Sequence, residues 1–285
     1  MTENRFKVLI TGANGQLGKE LVRLRTDESI EIVGYGRDEL DITDMASCRL
    51  VLHEQRPDAV IHCAAYTAVD QAESEPDEAY RINAAGARNM AVAAEEIGAK
   101  FCYISTDYVF DGNGSEPYSE YDPAEPNTVY GKSKWAGEQL TQTLCSRYYI
   151  VRTSWVYGQY GNNFVKTMLR LGGERDRLKV VHDQLGSPTY TLDLAKFLLA
   201  LVQTDSYGIY HASNTGECSW FEFAQAIFEE SGIAVTVEPC TTAEFPRPAP
   251  RPAYSVMDHG AIRYNGLELL RPWREALRHY FQDCE

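Results

Sequence analysis

Short apolar runs alternate with amphipathic stretches through the first half of the chain. The apolar runs are rich in β-branched residues, and we predict that they form strands: "FKVLI", "EIVGYG", "DAVIHCA", "AKFCYIS" and "YYIVRTS". The stretches between them carry apolar residues at helical spacing, and we predict helices there: "QLGKELVRLR", "MASCRLVLHEQ", "EAYRINAAGARNMAVAAEEIG" and "VYGKSKWAGEQLTQTLCSR". This alternation is typical of a Rossmann-like α/β fold with a doubly wound parallel sheet, whose strands are apolar throughout because both faces are buried.

The second half of the chain has a less regular pattern. We predict strands at "LKVVHDQ", "GIYHASN" and "AVTVEPC", and a helix at "SWFEFAQAIFEESG" with Ser219 near its N-cap. The segment "EFPRPAPRPAYS" contains too much proline for a helix or a central strand, so we predict an extended loop. We therefore expect a nucleotide-binding portion over residues 1–154, to which segments around 187–213 return, and a smaller α/β, mainly substrate-binding portion over residues 155–285.

Composition and charge narrow the classes of partner. The chain has 285 residues, of which 44% are hydrophobic and 24% charged, as in an ordinary globular protein. Its formal net charge of −14 argues against nucleic acid or an anionic membrane as a partner. The longest uncharged apolar run near the middle of the chain, "FLLALV", is far shorter than the roughly 18 residues of a membrane span. The N-terminal segment has no apolar signal region, so we expect a cytoplasmic protein without an export signal.

Cysteine and histidine usage does not indicate a metal site. The seven cysteines include no CxxC pair and no Cys/His spacing suited to zinc. Cys63 and Cys102 lie in apolar runs, where core packing is the expected role. His62 and His182 have no partner at ligand spacing. We therefore predict no metal ligands and a reduced compartment.

A glycine-rich turn follows the first predicted strand. In "VLITGANGQLGKEL", glycines occur where a tight turn must let a pyrophosphate approach the backbone and a helix pack against the strand. The helix N-terminus then offers free N–H groups to phosphate oxygens. We predict a dinucleotide site here, although any tight turn favours glycine; its residues are Gly12, Asn14, Gly15, Gln16, Leu17 and Gly18.

The end of the second predicted strand bears on which dinucleotide binds. A carboxylate at this position favours NAD, whereas an arginine can accept the 2′-phosphate of NADP. The strand ends "VGYGRDELDITD", with Gly36 and Arg37 at the relevant position and Asp38 directly after them. Arg37 favours NADPH, and NADH remains open.

Three residues with polar, reactive side chains lie at or after the end of the fourth predicted strand. Thr106 ends the strand in "YISTDYVFDG", at the sheet edge where ligands of this fold class bind. Tyr130 and Lys134 are four residues apart in "TVYGKSKWAGEQL" and share one face of a helix. Such a pair arises easily by chance in a chain with 18 tyrosines, so it needs the other motifs beside it. In this setting Tyr130 can donate a proton to a carbonyl oxygen, and we expect the Lys134 ammonium to lower the tyrosine pKa towards neutrality.

These motifs together resemble the extended short-chain dehydrogenase/reductase family. The order of TGxxGxxG, a strand ending in "STD" and YxxxK carries the resemblance. Longer stretches resemble one group in that family, the dTDP-4-dehydrorhamnose reductases: "CAAYTAVDQAESEPDEAYRINAAGARNMA", "YISTDYVFDGNG", "VYGKSKWAGEQ", "VRTSWVYG", "GNNFVKTMLRL" and "DQLGSPTY". With the glycine motif and "RPAYS", the resemblance covers nearly the whole chain.

The resemblance implies an activity, a cofactor and a set of residues. It implies a homodimer that reduces the C4 ketone of dTDP-4-dehydro-β-L-rhamnose with NADPH or NADH, the last step of dTDP-rhamnose synthesis for cell-surface polysaccharide. The implied catalytic residues are Thr106, Tyr130 and Lys134. The implied cofactor contacts, beyond the glycine turn, Tyr130 and Lys134, are Asp41, Ile42, Ala64, Ala65, Tyr66 and Asn83, where Tyr66 replaces the histidine of some members. The implied substrate contacts are Thr106, Asp107, Trp155, Asn163 and Arg251. Some members bind Mg²⁺ at a dimer contact, but this sequence does not predict that site.

Other activities on this fold stay open to different degrees. Sugar-nucleotide dehydratases carry glutamate after the corresponding Thr-Asp pair, whereas Tyr108 follows here, so dehydration is not expected. Epimerases and reductases of other nucleotide keto-sugars share the YxxxK pair and remain alternatives. A non-catalytic NAD(P)-binding regulatory subunit is the alternative of another class; the intact set of Thr106, Tyr130 and Lys134 argues against it.

Overall fold

A computed structural model of the protein describes residues 5–24 and 28–283. The strands of the first half are β1 (Phe6–Thr11), β2 (Ile30–Tyr35), β3 (Ala59–His62), β4 (Lys100–Thr106) and β5 (Tyr148–Thr153). The helices of that half are α1 (Gln16–Arg23), α2 (Met45–Gln55), α3 (Val69–Ala72), α4 (Pro76–Tyr80), α5 (Ala87–Ile97) and α6 (Val129–Leu144). The five predicted strands are confirmed; the last residue of the first predicted helix, Arg25, lies outside the described residues.

The second half contributes shorter elements. Its strands are β6 (Val156–Tyr157), β7 (Arg177–Val181), β8 (Leu185–Gly186), β9 (Thr189–Tyr190), β10 (Gly208–His211), β11 (Cys218–Ser219) and β12 (Thr236–Cys240). Its helices are α7 (Phe164–Gly172), α8 (Thr191–Val202), α9 (Trp220–Ser231), α10 (Gly260–Tyr264) and α11 (Trp273–Asp283). Ser219 is the N-cap residue of α9, as predicted, and it forms a capping box with Glu222. The Ser219 hydroxyl accepts from the Glu222 N–H, and the Glu222 carboxylate accepts from the Ser219 N–H. None of the helices in the described ranges is long and apolar enough to cross a membrane.

Six parallel strands form the central sheet, in the order β10-β5-β4-β3-β1-β2. The predicted fold class is confirmed. Because the strands are parallel and in register, with Thr106 beside Thr153 and Thr11 beside His62, their carboxyl ends meet at one edge. Ligands of open α/β sheets bind at that edge.

Both faces of this sheet are buried, which explains the uniformly apolar strands. Helices α2 and α5 cover one face, packing on residues that include Leu9, Val60, Phe101, Tyr103 and Ile150. Helices α1 and α8 cover the other face, packing on Val8, Ile10, Ile61, Tyr149 and Val151. Helix α8 and strand β10 from the second half thus complete the layers built by the first half.

The single helix predicted over "EAYRINAAGARNMAVAAEEIG" contains an irregular turn. Residues Arg81–Gly86 form a π-helical turn between α4 and α5, with Asn83 inside it. A π-helical turn displaces one carbonyl from the regular α-helical ladder. Here the Asn83 carbonyl accepts a hydrogen bond from the Tyr103 hydroxyl at 3.1 Å, so the turn reaches across to the sheet.

Candidate active site

A cleft of about 1060 Å³ opens at the carboxyl edge of the sheet. Its floor is formed by the glycine turn and the ends of β3, β4 and β5. Its outer wall comes from the second half, including α7, β7, α9 and the Pro-rich loop over residues 245–254. This volume lies at the upper end of the range for small-molecule sites, so two ligands can meet within it.

The glycine turn forms a cradle that side chains would fill. Gly12 has a φ of 65°, and a Cβ there would lie 2.7 Å from the Ala64 nitrogen. A Cβ on Gly18 would lie 2.2 Å from the Gly12 carbonyl oxygen. Gly15 is the N-cap residue of α1, and no side chain caps that helix end. The free N–H groups and the space left by the missing side chains fit a dinucleotide pyrophosphate.

The residues predicted at the far end of a dinucleotide lie around the end of β2, outside the wall of the cleft. Gly36 leaves room for Asn14, whose Nδ2 would be 2.2 Å from a Cβ at that position. The Asp41 carboxylate accepts from the Thr43 hydroxyl at 2.7 Å and from the Thr43 N–H at 2.9 Å. These bonds, together with the positive charges of Arg81 and Arg37, keep its pKa below the usual range. Ile42 is buried against Gly86 and belongs to the core.

The loop after β3 is held by Asn83. Its carboxamide accepts from the Tyr66 N–H at 2.8 Å and donates to the Tyr66 carbonyl at 3.1 Å and to Ser133 at 2.9 Å. Asn83 therefore shapes the loop, while Ala65 lines the cleft and Ala64 closes over Gly12. The Tyr66 phenol turns outward to the Glu75 carboxylate at 2.9 Å, so its side chain is directed away from the cleft.

The structure brings Thr106, Tyr130 and Lys134 together in the cleft wall. Thr106 is the last residue of β4, and Thr128 caps α6 so that Tyr130 and Lys134 follow one turn apart. Lys134 is buried, and its ammonium donates to the Ile104 carbonyl at 2.6 Å. The three side chains thus come from the end of one strand and the first turns of the next helix.

The titration of this pair differs from the expectation based on sequence. Burial raises the pKa of Tyr130 to about 12, and the contact with Thr106 only opposes that rise. Burial also lowers the pKa of Lys134 to about 7, with the negative charge of Glu138 acting against the shift. Burial of the phenol thus acts against the expected fall of its pKa, and the Lys134 ammonium is turned to the Ile104 carbonyl. A fall towards neutrality beside a positively charged nicotinamide stays a prediction.

Asp107 is a buried carboxylate in the cleft wall with a free oxygen. Its Oδ1 accepts from the Thr106 hydroxyl at 2.9 Å, and its Oδ2 has no hydrogen-bond partner among the described residues. Burial raises its pKa to about 6. An unsatisfied buried oxygen is costly, so a ligand hydroxyl that donates to Oδ2 would be favoured.

Trp155 lies between the two halves and lines the cleft. It adopts a left-handed backbone conformation with a φ of 47°, and its ring stacks on Trp220 at 3.5 Å and 8°. Gly186 makes this possible, since a Cβ there would lie 2.6 Å from the Trp155 ring. A strained backbone at a site residue is a common feature of functional clefts.

Arg251 lies at the mouth of the cleft, in the Pro-rich loop that was predicted to be extended. Its guanidinium donates to the Asp70 carboxylate at 2.9 Å and to the Ala249 carbonyl at 3.0 Å. Burial of Asp70 opposes ionisation, yet the bonds from Arg251 and the Ala249 N–H keep its pKa below the usual range. The loop is thereby tied to α3 across the cleft.

Asn163 is not brought into the cleft wall. Its carboxamide caps α7 by accepting from the Lys166 N–H, and it donates to the Gln16 side chain and the Gly158 carbonyl at 2.9 Å each. All its polar atoms serve these contacts, so we leave it out of the substrate set proposed below.

Sequence reasoning missed part of the outer wall. The residues not singled out include Lys179, Gln184, Trp220, Phe245 and Arg247. Phe245 and Arg247 carried a usable signal, because they share the Pro-rich loop with Arg251. In residues 5–24 and 28–283, no three acidic, histidine or cysteine side chains are grouped to hold a metal ion.

Comparison with known proteins gives extended matches. A family model described as RmlD substrate binding domain matches residues 6–285. The chain is 50% identical over 277 residues to the spore coat polysaccharide biosynthesis protein SpsK of Bacillus subtilis (strain 168), covering 97% of each chain. It is 46% identical over 284 residues to a dTDP-4-dehydrorhamnose reductase of Streptomyces griseus, covering 97% of this chain and 93% of the relative.

A solved structure is similarly close. The crystal structure of dTDP-4-dehydrorhamnose reductase from Bacillus anthracis str. Ames in complex with NADP matches with a TM-score of 0.96 and 52% identity, covering 98% of this chain and 99% of that chain. The resemblance drawn from the sequence motifs is confirmed by these matches.

Proposed function

The chain belongs to the family described as RmlD substrate binding domain, and on that premise we propose that it reduces the C4 ketone of dTDP-4-dehydro-β-L-rhamnose to dTDP-L-rhamnose. It is an oxidoreductase that uses a nicotinamide cofactor, as the name of the Streptomyces griseus relative and the NADP in the Bacillus anthracis structure indicate for those proteins. The observation that carries the proposal is the meeting of Thr106, Tyr130 and Lys134 beside the glycine cradle in one cleft.

The cradle and the loops beside it would hold the cofactor. The pyrophosphate fits the turn over residues 12–18, while Arg37 and Asp41 lie at the adenosine end. Arg37 is exposed and carries the charge that a 2′-phosphate needs, so we propose NADPH as the preferred cofactor, with NADH as the alternative. A bound nicotinamide supplies the hydride that reduces the carbonyl carbon.

Tyr130 is the proposed acid. Because its pKa is raised to about 12, the phenol keeps its proton at neutral pH and can donate it to the ketone oxygen as negative charge develops there. Thr106, on the neighbouring strand end, can donate a hydrogen bond to the same oxygen. Lys134, while charged, stabilises the phenolate that remains after proton transfer.

Three residues are proposed for the sugar nucleotide. Asp107 offers its free oxygen to a sugar hydroxyl. Trp155 offers a rigid aromatic face that is stacked from behind by Trp220. Arg251 lies at the cleft mouth where its guanidinium can bind the diphosphate, since arginine matches phosphate geometry.

The two portions of the chain, its oligomeric state and its location in the cell are also proposals. We propose that residues 1–154, with returning segments around 187–213, bind the cofactor and that residues 155–285 mainly bind the sugar nucleotide. We further propose a homodimer in the cytoplasm whose product serves cell-surface polysaccharide. The support is the resemblance to the reductase group together with the division of the cleft wall between the two halves.

Dehydration and a purely regulatory role have less support. The position where dehydratases carry glutamate holds Tyr108, whose ring meets the Tyr130 ring edge-on at 5.6 Å. A phenol is a much weaker acid than the glutamic acid that dehydratases carry at this position, so Tyr108 does not replace it. The intact catalytic set is unnecessary for a regulatory subunit.

Turnover assays test the proposed function. We expect loss of NADPH absorbance with dTDP-4-dehydrorhamnose made in situ by the preceding epimerase, and a rate lower by roughly 10²- to 10⁴-fold in Tyr130→Phe, because the acid is removed. Tyr121→Phe, at an exposed tyrosine outside the cleft, is the matched control. Cofactor binding without turnover by the wild-type protein would contradict the proposal and favour another keto-sugar nucleotide or the regulatory role.

A further inference from the structure

The ammonium of Lys134 has an unusual environment for a buried cation. It lies 3.9 Å from the centroid of the Tyr103 ring, above the ring face. Apart from the Ile104 carbonyl at 2.6 Å, no hydrogen-bond partner of this ammonium occurs in the described part of the chain. The lysine side chain is 2% exposed, so water contributes little to its solvation.

The Tyr103 ring is itself fixed in place. Its hydroxyl lies within hydrogen-bond distance of two carbonyls, that of Asn83 in the π-helical turn at 3.1 Å and that of Lys134 at 3.3 Å. Gly137 lets α6 approach closely, since a Cβ there would lie 2.4 Å from that hydroxyl oxygen. The imidazole of His62 stacks against the ring at 5.9 Å and 19°. The ring therefore has one position, and its π face is turned to Lys134.

We propose that Tyr103 is a positioning residue for the reaction: its ring face holds the Lys134 ammonium in place and keeps it charged beside Tyr130. A cation over an aromatic face is attracted by the ring quadrupole, and more strongly where water is excluded. The inference rests on the proposed function, because the charge of Lys134 matters through its action on Tyr130. The spacing YxxxK gives no indication of it, since Tyr103 lies on another element.

Other charged or titratable groups also surround this ammonium. Glu138 on α6 favours the charged form, but its carboxylate is shared with Arg152 of β5 at 2.7 Å. Cys63, which follows β3, and His62 at the end of β3 face the lysine from the sheet, and Tyr130 lies on its own helix. With a pKa of about 7, Lys134 is poised so that loss of the ring contact changes its charge at neutral pH.

The test compares two variants that keep an aromatic ring at position 103 but differ in the strength of its quadrupole. Tyr103 is replaced by phenylalanine and then by 3,4,5-trifluorophenylalanine, and the pH dependence of kcat is measured for each. Tyr103→Phe keeps the π face, so we expect the alkaline limb of the profile to stay in place, with a rate reduced at most a few-fold by the lost hydroxyl bonds. Fluorination weakens the quadrupole, so we expect that limb to move to lower pH by about one unit, the size of a desolvated cation–π contact.

Tyr103→Leu and Tyr149→Leu separate this effect from lost packing. Both remove a fully buried tyrosine ring, but Tyr149 lies on the other face of the sheet, away from Lys134. We expect both to lower stability and only Tyr103→Leu to shift the alkaline limb. An unshifted limb in the fluorinated protein, or equal shifts in the two leucine variants, would overturn the inference.

A titration independent of turnover distinguishes the two proposals. The pKa of Lys134 is followed by NMR in protein with isotopically labelled lysine, and its signal is assigned by comparison with Lys134→Met. A lower pKa in the fluorinated protein supports the role of Tyr103 even if the wild-type protein fails to reduce the proposed substrate. An unchanged pKa overturns that role even if the reductase activity is present.

Discussion

The ionisation of Lys134 affects the free energy of unfolding and, in the proposed reaction, the rate of turnover. Burial lowers its pKa from the usual value of 10.5 to about 7. Between these two values the unfolded chain binds a proton that the folded chain does not, so the free energy of unfolding rises with pH across that window. In the proposed reaction, by contrast, the charged form of the lysine is the one that stabilises the Tyr130 phenolate. We therefore expect turnover to fall as pH rises above about 7, where the fold gains stability.

Replacing this lysine should have opposite effects on turnover and on stability. We expect Lys134→Met to abolish most turnover and to raise the free energy of unfolding by about 1 kcal/mol or more at pH ~6, because a buried charge is removed. The gain should shrink as pH rises towards ~9, where the wild-type lysine is neutral when folded. Urea denaturation at both pH values measures it. Lys132→Met, an exposed lysine on the same helix, should show neither effect; a loss of stability in Lys134→Met at pH ~6 would contradict the argument.

At the scale of elements, an ion pair joins the Pro-rich loop to helix α3 at the cleft. Arg251 reaches Asp70 of α3 at 2.9 Å, and the Ala249 N–H donates to the same carboxylate at 3.2 Å. Proline keeps this segment out of the regular helices and strands. Its position is fixed by the Asp70 contacts and, further along, by backbone hydrogen bonds of Ala253 and Ser255 with Leu185. The arginine is consequently held at the mouth, where a diphosphate would enter.

Loss of this arginine should weaken binding of the sugar nucleotide more than that of the cofactor. We expect Arg251→Ala to raise the KM for the nucleotide sugar roughly 10- to 100-fold, the range for hydrogen bonds to a charged group. The KM for NADPH should change little. Arg263→Ala serves as the control, since Arg263 also pairs with an aspartate, Asp258, but lies outside the cleft wall. Equal effects of both substitutions on the KM would count against a role for Arg251 in binding.

At the scale of the whole molecule, a buried ion pair joins the catalytic helix to the sheet. The Glu138 carboxylate on α6 accepts from the Arg152 guanidinium of β5 at 2.7 and 3.0 Å and from the Ser105 hydroxyl of β4 at 2.5 Å. Arg152 also lies 3.4 Å from His211 of β10. The Glu138 carboxylate thus links the helix that carries Tyr130 to strands β4 and β5, and Arg152 extends the link to β10.

Breaking this pair should destabilise the fold. Glu138→Ala leaves the Arg152 charge buried and unpaired, so we expect a loss of about 3–5 kcal/mol in the free energy of unfolding. Glu96→Ala, which breaks the exposed pair with Arg49, should cost at most about 1 kcal/mol. Chemical denaturation of both variants gives the comparison. Losses of similar size would show that the buried pair is no more important than a surface pair.

Local patterns in the sequence were sufficient for the sheet, the glycine turn and the Tyr130–Lys134 pair. Apolar runs identify strands because burial acts on each residue by itself, and YxxxK places two side chains on one helix face whatever surrounds it. The π-helical turn was not predictable, because one helical pattern fits both regular and irregular turns. The bond that turns the Asn163 carboxamide to Gln16 was likewise not predictable, because its partner is 147 residues away along the chain.

The sequence by itself determined which segments form the central strands, where the glycine turn lies and to which family the chain belongs. Only the tertiary structure decided that the Tyr103 ring faces Lys134, that Trp155 stacks on Trp220, and that Arg251 meets Asp70. Each of these contacts joins elements far apart along the chain, so no local spacing encodes it. The pKa of a buried group likewise depends on everything packed around it, so the spacing of Tyr130 and Lys134 along the chain does not predict how they titrate.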